Sequence, residues 1–84
     1  LFFNKIYCYK ALNDCLDTSG AFVEGDFLYG ENIGDKLASF GEKSLVKIER
    51  ISGKNINIGV ASKDGSNVKV DKLKLENTKI YGAS

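Results

Sequence analysis

The sequence predicts an all-β chain wound as a right-handed parallel β-helix, a solenoid of about four coils of roughly 21–23 residues with about three short strands in each. Three observations predict it. Blocks beginning at Val23, Val46 and Val68 recur at offsets of 23 and 22 residues. Within each block apolar and polar residues alternate in short bursts, the period of a strand that turns one face inward. Glycine, Asn and Ser are plentiful and proline is absent, so tight turns separate the bursts, and helical spacing of apolar residues is sustained nowhere.

The repeat carries the most weight. Val23-Glu24-Gly25-Asp26-Phe27-Leu28-Tyr29-Gly30-Glu31-Asn32, Val46-Lys47-Ile48-Glu49-Arg50-Ile51-Ser52-Gly53-Lys54-Asn55 and Val68-Lys69-Val70-Asp71-Lys72-Leu73-Lys74-Leu75-Glu76-Asn77 share one pattern. It runs Val, any residue, a small or apolar one, an acid, any, Leu or Ile, three more, Asn. An x-Ala-Ser triplet follows each Asn and ends at Ser39, Ser62 and Ser84. One coil cannot bury its own inner face, but stacked coils complete each other's core. Val23, Val46 and Val68 are therefore expected to form one inward ladder and Leu28, Ile51 and Leu73 another. Asn32, Asn55 and Asn77 form an amide ladder at a corner, with the serines at a second corner. The stretch Ser39–Leu45 is one residue longer than Ser62–Asn67, which accounts for the drift in the offset. Toward the N-terminus, Leu16-Asp17-Thr18 falls 21 residues before Leu37, and Phe2 falls 21 before Val23. The first coil is atypical, as terminal repeats often are.

Residues 1–84 read as a single β-helix segment, part of a longer chain. Both ends of so short a stack would expose core and unpaired strand edges. Flanking domains or end-to-end association with another copy are expected to cover them. The formal net charge is +1, which gives no electrostatic case for nucleic acid. No apolar run approaches the roughly 20 residues that span a bilayer, so no membrane insertion is expected. No cofactor signature is present. Cys8 and Cys15 make no disulfide framework and read as buried small hydrophobes that would pair only if the fold brought them together. With no His beside them, no metal site is expected.

The strings Asn13-Asp14-Cys15-Leu16-Asp17-Thr18-Ser19-Gly20, Gly34-Asp35-Lys36-Leu37-Ala38-Ser39 and Ile58-Gly59-Val60-Ala61-Ser62-Lys63-Asp64-Gly65 resemble successive coils of pectin-lyase-like right-handed β-helix proteins. In particular they resemble the β-helix segments adjoining spore-coat-protein-H-like kinase domains. The resemblance covers nearly the whole chain. It implies a right-handed coil and an extracellular or cell-surface setting, and it assigns any kinase activity to a domain outside this segment. The wider superfamily contains polysaccharide lyases, hydrolases and epimerases together with noncatalytic scaffolds, and no complete catalytic set of theirs maps onto these residues.

Three groups of residues are candidates for function. Asp14 and Asp17, with Asp35 one coil later, are the nearest approach to a catalytic carboxylate set. Asp also opens Asx-turns between strands, which is the structural reading of the same residues. Lys47 and Lys69, and Arg50 and Lys72, align in outward columns beside the acidic column Asp26, Glu49 and Asp71, the pattern of a solvated striped face. Phe27, Tyr29 and Tyr81 fall at outward positions and are the candidate ligand-binding residues, since exposed aromatics stack on sugar faces or join interfaces. The chain is thus expected to be a noncatalytic solenoid module that presents a rigid face to a polysaccharide or another protein. A polysaccharide-active enzyme fragment is the alternative.

Overall fold

The computed structural model describes residues 1–83 and contains five strands: β1 (Phe2–Tyr9), β2 (Leu16–Thr18), β3 (Phe22–Phe40), β4 (Leu45–Ser62) and β5 (Asn67–Ala83). All pair in parallel, in the order β1-β3-β4-β5 with β2 also on β3. Each strand stacks on its counterpart in the next coil, so the chain is a β-solenoid of about four turns.

In coils 2 to 4 one long strand runs nearly the whole turn, and it bends where pairing lapses. One bend is the column Asn4, Asp26, Glu49 and Asp71, which no ladder pair includes. The next is at Asn32, Asn55 and Asn77, each with positive φ. A loop closes the turn, with Gly20, Lys43 and Gly65 in the left-handed region. These breaks divide each coil into three straight runs.

Inside, Val23 sits against Val46 and Val46 against Val68, while Leu28, Ile51 and Leu73 form the second column. In the two middle coils the core is dry: Val23, Leu28, Leu37, Ala38, Phe40, Ile48 and Ile51 are 0% exposed. Burying a side chain of this size contributes about 1.5–3 kcal/mol. Phe3 of coil 1 lays its ring where a Cβ on Gly25 would stand, so the large side chain in one coil needs the missing one in the next.

Four expectations are corrected. The first coil stands in a register of 22 rather than 21, with Phe2 opposite Glu24 and Leu16 opposite Ala38. The extra residue of coil 2 is not in its loop: the register shifts between Ile33 and Lys36, where Gly34 and Asp35 oppose Asn57 alone. As a result the serines form no column. Ser39 pairs with Ala61 and Phe40 with Ser62, and Ser84 lies outside the described residues. Lastly, Cys8 and Cys15 are joined in a disulfide with their Cα atoms 6.1 Å apart, well within the range such bonds need. Cys8 stacks on Gly30, and Cys15 lies one residue before Leu16, hence over Leu37. Both are inward columns.

Candidate functional site

The run between the Asp26 and Asn32 bends positions the most distinctive surface. Leu28 and Gly30 are buried there, so Phe27, Tyr29 and Glu31 point outward. Coil 1 puts Lys5, Tyr7 and Tyr9 beside them. Coil 3 adds Arg50, Ser52 and Lys54, and coil 4 adds Lys72, Lys74 and Glu76. The lower half of this face is aromatic and the upper half cationic.

The aromatic half is one cluster. Tyr7 meets Phe27 edge to face with centroids 5.8 Å apart, and Tyr29 lies 6.2 Å from Tyr7, 6.0 Å from Tyr9 and 6.2 Å from Phe27. These spacings suit favourable aromatic pairs, each worth about 0.5–1.5 kcal/mol beyond area. The Arg50 guanidinium sits 4.4 Å above the Phe27 ring, which ties the two halves together. Tyr7 and Tyr9 remain 52% and 57% exposed. Beside the cluster a shallow groove of 320 Å³ is lined by Phe27, Arg50, Ser52, Lys72, Leu73 and Lys74.

Charge concentrates on the same face. Its outward positions hold five cations and two carboxylates, whereas the rest of the chain holds seven against nine. Lys54 pairs with Glu31 at 3.3 Å. Among the described residues no carboxylate pairs with Lys5, Arg50, Lys72 or Lys74. Tyr29 donates its hydroxyl to Glu31 at 3.0 Å. Partial burial, then that bond, push the Tyr29 phenol above its ordinary value. The Glu31 carboxylate holds the Lys54 ammonium above its own.

The other candidates lie elsewhere. Tyr81 lies past the Asn77 bend, outside this run, and the outward position expected for it is corrected: it stands over Gly59 in the inward column of Leu37, and its 54% exposure reflects its place in the last coil. Asp14 accepts the backbone N–H of Lys36 at 3.2 Å, so it anchors a turn to the next coil. The Lys36 ammonium lies 3.3 Å from Asp35 and 3.7 Å from Asp14, and the hydrogen bond to Asp35 chiefly raises its pKa. Asp17 is exposed and makes no hydrogen bond or ion pair among the described residues. The three carboxylates therefore do not meet in one groove, and two of them are committed to one lysine. No cluster of the described residues has the make-up of a metal site, and no helix among them is long and apolar enough to cross a membrane.

Sequence reasoning missed Tyr7 and Tyr9. The signal was present, because both fall 22 residues before outward positions of coil 2. With an offset of 21 they slide onto Leu28 and Gly30 and turn inward, since a slip of one residue exchanges the two faces of a strand. Comparison of the chain with protein families, with curated proteins and with solved structures returns no match.

Proposed function

We propose that this chain is a noncatalytic β-solenoid module of a secreted or surface protein, holding the face of Tyr7, Tyr9, Phe27, Tyr29 and Arg50 rigidly toward a glycan. The aromatic cluster beside cations without carboxylate partners carries this reading. Rings fixed by a stacked backbone lose little freedom on binding, so their contact with a sugar face is converted efficiently into affinity. The Cys8–Cys15 disulfide supports an oxidising compartment. The likeness to pectin-lyase-like coils agrees with such a role but rests on the repeat alone. The two open ends call for cover, from flanking chain or from another copy. A polysaccharide-active enzyme finds less support, because Asp14 and Asp35 share Lys36 and Asp17 stands apart.

Affinity electrophoresis through gels carrying neutral or acidic polysaccharides tests the proposal. Retardation is expected in at least one acidic gel, and Phe27→Ala and Tyr29→Ala should each weaken it about tenfold, the equivalent of one aromatic contact at the upper end of its usual worth. Equal mobility of native and variant protein in every gel would remove the glycan reading.

A further inference from the structure

Three tyrosines meet on the outward side of coils 1 and 2. Tyr7 stands opposite Tyr29 and Tyr9 opposite Glu31. Tyr29 therefore has one tyrosine beside it and a second on the diagonal, a distance that aromatic side chains still reach. The ring centroids lie 6.2 Å and 6.0 Å away. Tyr7 also packs edge to face on Phe27 at 5.8 Å, whereas Tyr9 meets no ring but Tyr29 among the described residues. These contacts lie on the flank of the stack, so they hold whatever chain precedes or follows. Between the two tyrosines of coil 1, Cys8 is oxidised to a disulfide with Cys15, the mark of a chain that meets oxidising conditions.

The Tyr29 hydroxyl donates to the Glu31 carboxylate at 3.0 Å, the one tyrosine hydroxyl bonded to a side chain among the described residues. That bond has two consequences. It turns the hydroxyl end of the ring, with the ortho carbons beside it, toward the column that Tyr9 shares with Glu31. It also gives the phenol an acceptor for its proton. A phenol yields an electron far more readily when its proton can leave in the same step, because no cationic ring then has to form.

We infer that Tyr29 and Tyr9 form an oxidative cross-linking site, coupled into a dityrosine by a one-electron oxidant such as a heme peroxidase supplied with hydrogen peroxide. Each phenol yields one electron and one proton, and the Tyr29 proton passes to Glu31. The two radicals join through a ring carbon ortho to each hydroxyl. The hydrogens on those carbons then move to the oxygens, which restores both rings. The chain loses two hydrogen atoms, and their two electrons and two protons reduce one hydrogen peroxide to two waters. The Cys8–Cys15 bond closes coil 1 on itself, whereas the new bond fastens coil 1 to coil 2. The inference goes beyond the glycan reading and does not rest on it.

To test it, the full chain, dilute enough that copies seldom meet, is treated with a heme peroxidase and hydrogen peroxide, then reduced and cut with trypsin. Cleavage after lysine separates residues 6–10, which hold Tyr7 and Tyr9, from residues 11–36, whose one tyrosine is Tyr29. With the disulfide reduced, these two fragments should remain joined, two hydrogen atoms short of their summed mass and with the blue fluorescence of a dityrosine. Tyr9→Phe should remove most of this product and Tyr7→Phe should leave most of it, and each deletes only a hydroxyl. Glu31→Gln should slow its formation about fivefold, since a neutral amide is the weaker acceptor. Fragments that separate on reduction overturn the inference, as does coupling between copies in place of coupling within one. Product undiminished by Tyr9→Phe overturns the choice of partner, and formation indifferent to Glu31→Gln overturns the role given to that carboxylate.

Discussion

Among the described residues, five other than glycine hold the left-handed conformation: Lys10, Asn32, Lys43, Asn55 and Asn77. Asparagine tolerates it better than most residues, and here its amide also reaches the next coil. Asn55 is the middle of the ladder, donating downward and accepting from above. Asn55→Ala should therefore cost about 2 kcal/mol, through two lost amide bonds and a strained φ. Asn55→Gly keeps the φ and should cost about half as much, an order that urea unfolding will resolve. Lys43 is the converse case. Its column mates are Gly20 and Gly65, both with positive φ, so Lys43→Gly should stabilise by about 0.5 kcal/mol, relief of strain exceeding the entropy that glycine adds to the unfolded chain. Titration belongs at this scale too. The Lys36 and Lys54 ammonium groups titrate above the ordinary 10.5 and the Tyr29 phenol above 10.0. In all three the folded state holds the proton more tightly, so the stability they add is complete below the ordinary value and disappears as pH rises through the folded one. The urea midpoint should be flat between neutral pH and about pH 9 and fall above about pH 10, less steeply for Lys54→Gln.

At the scale of the element, the disulfide replaces a packing contact. Cys8 and Cys15 are the first-coil counterparts of Gly30 and Leu37, and Leu37 places its side chain where a Gly30 Cβ would stand. The same pair of columns is thus bridged covalently in coil 1 and by one large side chain in coil 2. Replacing both cysteines by alanine should cost about 2–3 kcal/mol, the value for closing so short a loop, and the loss should be local. Amide exchange should quicken in β1 and β2 well before β4. The two glycines of this column should differ as well. A methyl on Gly30 meets the movable end of Leu37, whereas one on Gly53 meets the carbonyl oxygen of Gly30. Gly53→Ala should be the more damaging, by about 1 kcal/mol or more. These elements also show what was legible in the chain. The ladders of coils 2 to 4 could be read because an identical column needs an identical residue. The first coil could not, because Leu1, Asn4 and Lys10 stand in the columns where the others carry Val, an acid and Asn, and a one-residue error there costs nothing in pattern but reverses every side chain. The bulge at Gly34 and Asp35 was hidden similarly, because the serine spacing imitates a longer loop.

For the whole molecule, stability follows position along the axis. Each coil touches only its neighbours, so the stack behaves as a short one-dimensional array whose ends lack one interface. Val46 has a coil on either side and is 1% exposed, whereas Val68 belongs to the open coil and is only half-buried. Val46→Ala should cost about 2 kcal/mol and Val68→Ala less than half of that, although the two residues stand in one column with the same chemistry. Amide exchange should show the same gradient, slowest in the middle of β4 and fastest along β5, which among the described residues pairs with β4 alone.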